Sequence, residues 1–361
     1  MPALLFLLSL LLALPVHAES VTWEHIDIPA RFSTPKGVVG VTLEAVIARP
    51  DSGGPFPLLV LSHGTPREAD ARKTMMPTGM LPQALEFARR GWAVIVPMRR
   101  GYGLSGGAYA EYSGPCEQRE YIGAGLESAE DLREVVRFAG TLPSVDARRV
   151  VAVGQSAGGF ASVALAMEPP PGLKAVISFA GGRGSRAADD VCQPDRLADA
   201  FEFYATRGAR VPMLWMYAEN DRFFGPALAR RLHAAFTAGG GRAELVMMPP
   251  FGEDGHFLFS RGEPSAWLPT VERFLAANGL QARATPIPPR PSAAVPAGLV
   301  GKALDSFPAF QRGVPHKAFA TAEDGAFGWR SGLRTLNEAR DAALATCRKF
   351  TAKPCRVVSE E

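Results

Sequence analysis

Three residues of this chain stand where acyl-transfer chemistry would need them. Ser156 lies in Gly154-Gln155-Ser156-Ala157-Gly158, between a β-rich run at 150–153 and a small-residue helical pattern whose larger apolar members are Phe160, Val163, Leu165 and Met167. A strand that turns sharply into a helix at Gly-x-Ser-x-Gly exposes the serine hydroxyl at the strand's end. Glycine is needed there because a Cβ would collide with the neighbouring strand and helix. The first helical turn aims free N–H groups, and the positive end of the dipole, at the place where an oxyanion would form. Asp221 and His256 each follow a short apolar run read as a buried strand, at 212–217 and 243–248. Loops after parallel strands emerge at one edge of a sheet, so the three side chains can converge. The chemistry would be a serine nucleophile, a histidine base and an aspartate that orients and stabilises the imidazolium.

The rivals are fewer than the composition suggests. Of the six histidines, His17 sits in a leader-like segment, His25 on an early strand, His233 mid-helix and His316 near the C-terminus. His63 follows the strand at 58–62 and reads as a loop brace. Only His256 occupies the position of a base. For the acid, Glu219, Asp195 and Asp254 compete with Asp221; Asp254 is too near His256 in the chain to reach around its ring.

The elements that must position these residues follow a βα alternation. Residues 21–28 and 39–48 read as an antiparallel opening. Short, continuously apolar runs at 58–62, 92–97, 150–153, 175–179, 212–217 and 243–248 read as strands buried on both faces. Helical spacing appears at 83–90, 126–138, 196–207, 226–236 and 267–277. Residues 281–300 hold Pro286, Pro288, Pro289, Pro291 and Pro296 and read as a semi-rigid linker. Beyond it, 301–361 reads as a small domain with strands at 317–321, 327–329 and 355–358. In that domain a capping box, Thr335 to Glu338, opens a helix.

A chain of 361 residues with 47% hydrophobic and 21% charged residues is an ordinary globular protein. A net charge of +3 with no basic block does not point to nucleic acid, and no 18-residue apolar run suggests a membrane span. The apolar run at 4–14 and Val16-His17-Ala18 fit a signal peptide cleaved after Ala18, so the chain is expected in the periplasm or outside a bacterial cell, with a catalytic domain over 19–280. Export permits disulfides. Four cysteines allow three pairings; Cys116–Cys192 and Cys347–Cys355 are expected, since the first two fall in loops above the active edge and the last two are close in sequence. Their spacing is not that of a zinc site. The mechanism requires neither metal nor organic cofactor.

Taken together, Ser62-His63-Gly64, Arg100-Gly101-Tyr102-Gly103, Gly154-Gln155-Ser156-Ala157-Gly158-Gly159, Ala218-Glu219-Asn220-Asp221 and Asp254-Gly255-His256 resemble an α/β-hydrolase of the dienelactone-hydrolase-like group over residues 40–280. The resemblance implies an α/β fold: a mostly parallel eight-stranded sheet with helices on both faces, here followed by a small α+β module. It implies the triad order Ser156, Asp221, His256 and an oxyanion hole from the backbone N–H groups of Thr65 and Ala157. It also offers Tyr102 as a donor near that hole. Tyr102 and Phe223 are candidates to line the pocket, though Tyr102 equally reads as packing; Phe223, Phe224, Phe251 and Tyr204 read equally as an apolar wall or as core. Dienelactone hydrolases are known for a cysteine nucleophile; Ser156 in its place favours an ester over a lactone. The alternatives are a peptidase of the prolyl-oligopeptidase type and a non-catalytic binding protein on the same fold. The C-terminal stretch from Trp329-Arg330-Ser331-Gly332 resembles a short domain appended to exported bacterial proteins, which would stabilise the chain or contact the envelope or a partner.

Overall fold

The computed structural model describes residues 19–35, 37–206 and 210–361; the expected leader at 1–18 lies outside the described residues. Two long strands, β1 (Val21–Thr34) and β2 (Gly37–Pro50), open the chain. They pair antiparallel from Val21 opposite Pro50 to Thr34 opposite Gly37. Both run past the expected ends, because pairing with each other carries them beyond the part that is buried. Val38 at the hairpin tip is 69% exposed.

The alternation then follows as β3 (Phe56–Ser62), α1 (Leu81–Arg89), β4 (Ala93–Pro97), α2 (Tyr121–Ala139), β5 (Val145–Gln155), α3 (Ala157–Leu165) and β6 (Leu173–Phe179). A short hairpin, β7 (Ser185–Ala187) with β8 (Asp190–Val191), interrupts it. It continues with α4 (Pro194–Thr206), β9 (Met213–Ala218), α5 (Pro226–Ala238), β10 (Ala243–Met248), α6 (Leu258–Arg261) and α7 (Leu268–Ala277). Eight strands form one sheet in the order β1-β2-β4-β3-β5-β6-β9-β10. β2 meets β4 antiparallel, and every neighbour from β4 to β10 is parallel.

Alternation along the central strands divides the core in two. Leu58, Val60, Val150 and Ala152 pack on one face with α2, α3, α4 and α5. Leu59, Leu61, Val151 and Val153 pack on the other with α1 and α7. A strand buried on both faces must be apolar at every position, which is why these runs read as continuous.

Residues 281–300 contain no helix or strand, yet they are pinned to the sheet domain. Ile287 is buried; its N–H donates to Arg89 O at 2.7 Å, and Arg89 Nε donates to Ile287 O at 2.6 Å. The last part holds α8 (Gly301–Arg312), β11 (Ala318–Thr321), β12 (Phe327–Arg330), α9 (Leu336–Cys347) and β13 (Arg356–Glu360). The strands make an antiparallel sheet in the order β12-β11-β13. Thr335 caps α9 by accepting from Glu338 N at 3.1 Å. Phe307 and Phe310 of α8 pack on Phe319 of β11, and Cys347 is bridged to Cys355.

Candidate active site

Ser156 stands between β5 and α3 with φ 57° and ψ −123°. A non-glycine residue at positive φ is strained unless its surroundings impose it. The surroundings here are two glycines that admit nothing larger. A Cβ on Gly154 would lie 2.2 Å from Gly158 O, and one on Gly158 would lie 2.1 Å from Ser62 O. The helix therefore starts against the end of β3, and the loop after β3 reaches the serine: a Cβ on Gly64 would lie 3.2 Å from Ser156 Cβ. Ala157 opens α3, so its N–H is one of the helix's unshared donors. Thr65, next to Gly64, is partly buried, and its hydroxyl bonds the Tyr102 hydroxyl at 2.6 Å.

His256 and Asp221 are brought together from the loops after β10 and β9. His256 Nδ1 lies 3.2 Å from Asp221 Oδ2, and both side chains are buried. The other carboxylate oxygen, Asp221 Oδ1, accepts from the N–H groups of Phe223 and Phe224 at 2.7 and 2.8 Å. Those two donors fix the carboxylate plane, so the imidazole faces an oriented acceptor that leaves Nε2 free. Asp254 instead caps the turn before His256, accepting from the His256 and Arg222 N–H groups, both at 3.0 Å. Asp195 pairs with Arg231 away from the imidazole, and Glu219 is exposed. Of the four acids weighed from the sequence, Asp221 is the one that meets the imidazole.

Gln155 was not anticipated. Its Nε2 donates to His256 O at 2.7 Å, which ties the elbow to the loop that carries the histidine. Phe223 stacks on the imidazole, with centroids 3.9 Å apart and planes 12° from parallel. The Arg67 guanidinium lies 3.6 Å from the centroid of the same Phe223 ring. Phe223 thus borders the histidine, partly exposed.

Tyr102 departs from expectation. It is 0% exposed, so it lines no open pocket. Its ring meets the His63 ring edge-on at 4.5 Å and its hydroxyl is taken up by Thr65. Tyr204 and Phe224 are likewise core. Phe223 and Phe251 are partly exposed; aromatic spacing alone does not distinguish a pocket lining from packing between helices.

A charged cluster lies buried behind the loop after β3. Arg99 Nε donates to Glu111 Oε1 at 2.6 Å, and its Nη1 donates to Ser62 Oγ and His63 O at 2.8 and 2.7 Å. Arg183 donates to Glu111 Oε2 at 2.6 Å and to the Tyr109 hydroxyl at 2.8 Å. Burial alone would raise the Glu111 carboxyl, but the two guanidiniums hold it at about 2. His63 is pushed down to about 3, first by burial and then by Arg99. A neutral ring fits its bonds: Nε2 accepts from Arg99 N at 3.1 Å, which leaves Nδ1 to donate to Gly64 O at 2.7 Å. His63 braces the loop, as its place after β3 suggested.

Cys116 is bridged to Cys192 across a separation of 76 residues. The bridge joins the loop before α2 to the loop before α4, next to the Tyr121 hydroxyl that donates to Cys192 O. Among the described residues no group of three or more His, Cys, Asp or Glu could hold a metal ion, and no helix is long and apolar enough to cross a membrane.

Comparison with known proteins bears on this arrangement. The X-Pro dipeptidyl-peptidase (S15) family matches residues 39–206. That span is a little under half of the chain; it holds the loop after β3 and the elbow and ends before Asp221 and His256. No curated protein matches the sequence. Among solved structures, the acylaminoacyl peptidase of Pyrococcus horikoshii is similar at 16% identity and a TM-score of 0.51, covering 75% of this chain and 43% of that one. DcsB, solved with its substrate analogue, is similar at 16% identity and a TM-score of 0.50, covering 71% and 99%. The Pyrococcus furiosus esterase Pf2001 is similar at 16% identity and a TM-score of 0.47, covering 71% and 90%. The mostly parallel sheet, with the serine elbow at the end of one of its central strands, has the α/β-hydrolase fold.

Proposed function

We propose that this protein is an exported carboxylic-ester hydrolase that works through an acyl-enzyme on Ser156. The observation that carries the reading is the approach of His256 Nδ1 to Asp221 Oδ2, 3.2 Å, on a loop that Gln155 holds to the elbow. In the reaction, Ser156 Oγ attacks the acyl carbon and its proton passes to His256 Nε2. The carbonyl oxygen becomes an oxyanion facing the N–H groups of Thr65 and Ala157. The bond to the leaving alcohol breaks as His256 returns the proton to it. Water then attacks the acyl-enzyme, giving its proton to His256; the bond to Ser156 Oγ breaks as His256 passes that proton to it, releasing the carboxylic acid and the free serine. Asp221 accepts from Nδ1 throughout, so Nε2 is presented to the serine and the imidazolium is stabilised.

Phe223 borders the histidine and would form one wall for a small, uncharged substrate. Two disulfides favour an oxidising compartment outside the cytoplasm, in line with the signal peptide read at 1–18.

The peptidase reading is kept because the matching family is described as X-Pro dipeptidyl-peptidase. One experiment separates the two: the mature protein is assayed on p-nitrophenyl esters from acetate to decanoate and on X-Pro p-nitroanilides. The ester reading predicts turnover of the esters with an optimum in acyl length and little on the anilides. Turnover of the anilides alone would replace it with the peptidase.

A further inference from the structure

The C-terminal module touches the catalytic half at the loops that back the loop after β3. Arg334, between β12 and α9, reaches Glu44 of β2 with two donors: Nε to Oε1 at 3.0 Å and Nη2 to Oε2 at 3.3 Å. Nη2 also donates to Met75 O at 3.2 Å. The Glu44 side chain is only 10% exposed, so its charge depends on the few donors that meet it. Besides Arg334 these include Leu104 N at 2.8 Å.

Glu44 is closely built into the turn that carries Tyr102. Its N–H donates to Ser105 Oγ at 2.9 Å, and its main-chain oxygen accepts from Met98 N at 2.7 Å. Gly103, at φ 54°, packs so tightly that a Cβ would lie 2.6 Å from both Glu44 Oε2 and Met75 O. Its N–H donates to Arg72 O at 2.9 Å. The neighbouring Tyr102 hydroxyl bonds Thr65, beside the Gly64 that abuts Ser156. A second contact of the module, Thr78 Oγ1 to Gly332 O at 3.0 Å, holds the same 65–80 segment.

We propose that Arg334 is a positioning residue: by fixing the Glu44 carboxylate it holds the turn at 99–106 and the Tyr102–Thr65 contact, so that the C-terminal module sets the geometry of the oxyanion hole. The proposal rests on the esterase reading for its kinetic consequence and on the contacts alone for its structural one. Removing the guanidinium takes from a nearly buried carboxylate its ion-pair partner, and the loop packed on it relaxes to hydrate it. A small displacement of one oxyanion donor lowers the rate without removing substrate contacts.

The test compares the mature enzyme with Arg334→Ala, Arg334→Lys, Tyr102→Phe, the Arg334→Ala/Tyr102→Phe pair and, as a reference within the module, Arg340→Ala. Steady-state kinetics on p-nitrophenyl acetate, normalised by active-site titration, are read beside amide hydrogen exchange of peptides spanning 63–80 and 99–106. Arg334→Ala is expected to lower kcat about tenfold with KM within about twofold, since a donor is shifted rather than lost, and to speed exchange in both peptides. Arg334→Lys recovers part of the loss, and Arg340→Ala changes neither readout. In the Tyr102→Phe background Arg334→Ala adds less than about twofold, because the link it acts through is already cut. Unchanged kcat, a fully additive pair, or faster exchange confined to 301–361 would overturn the proposal. A wild type inactive on esters would defeat the esterase reading instead, while exchange at 63–80 and 99–106 would still decide whether Arg334 holds these loops.

Discussion

Gln155 Nε2 donates to the main-chain oxygen of His256 at 2.7 Å, so the residue before the elbow serine is bonded to the residue that carries the imidazole. The donor is buried and, as an amide, replaceable by a near-isostere without the N–H. Gln155→Leu removes that bond and leaves a buried carbonyl without a partner. It is predicted to lower kcat about tenfold with little change in KM, measured on the best p-nitrophenyl ester. An equal fall in thermal stability with unchanged kcat would show that the bond only braces the loop.

Asp221 Oδ2 lies 3.2 Å from His256 Nδ1 while Oδ1 accepts from the N–H groups of Phe223 and Phe224. In Asp221→Asn an amide oxygen can keep those two bonds while the NH2 faces Nδ1, which favours the wrong tautomer. The folded protein should survive, and kcat should fall roughly a thousandfold or more. Circular dichroism alongside kinetics checks both halves. Activity within tenfold of wild type would send the acid's role to another residue.

Two buried groups make the protein acid-labile, with a sign that can be worked out. His63 is neutral in the folded state down to about 3, whereas in the unfolded chain it takes a proton below about 6.5. Its contribution is complete above 6.5 and is lost as pH falls toward 3. Glu111, held at about 2, adds a second loss below the ordinary carboxylate value near 4.5. Between pH 7 and 5 His63 contributes a loss on the order of 2 kcal/mol, which Asp131 opposes, since burial raises its carboxyl to about 7 and it takes up its proton earlier in the folded state. Urea unfolding at the two pH values should therefore show a change from pH 7 to 5 that is less destabilising in His63→Gln than in wild type by about that amount. Equal slopes would contradict the assignment.

The disulfides differ in the loops they close. Cys116–Cys192 spans 76 residues and Cys347–Cys355 spans 8. Loop-closure entropy makes the first worth about 4.5 kcal/mol and the second about 2.5 kcal/mol. The Cys116→Ser/Cys192→Ser pair should therefore lower the denaturation midpoint more than the C-terminal pair. It should also raise KM, because the bridge joins the loops on either side of the buried Arg183–Glu111 cluster. The reverse order in both quantities would be inconsistent with this reading.

The sheet was legible because burial on two faces forces unbroken apolar strands. The runs at 58–62, 150–153, 175–179 and 212–217 coincide with β3, β5, β6 and β9. Gly154 and Gly158 announced the elbow for a reason visible in atoms: neither position can hold a Cβ. What the sequence hid was mainly non-local. Arg99 and Glu111 of the loop after β4 and Arg183 of the loop after β6 form one cluster, and no spacing links them. Tyr102 sits in a glycine-rich loop yet is buried, because Gly101 and Gly103 let the loop fold inward onto Tyr109 and Glu44. α8 was missed for a local reason. Its stripe of Ala303, Phe307 and Phe310 was present, but it follows the proline-rich stretch and contains Pro308. The hairpin of β7 and β8 is too short for alternation to register.

Activation of Ser156 as a nucleophile by His256 can be tested without knowing the substrate. The mature wild type, Ser156→Ala and His256→Ala are incubated with a fluorophosphonate, and each is followed by intact mass and peptide mapping. One phosphonyl adduct is expected, on the peptide carrying Ser156, absent in Ser156→Ala and formed at least about a hundredfold more slowly in His256→Ala. A folded wild type that takes no label, or a Ser156→Ala variant labelled as fast as wild type, would contradict it.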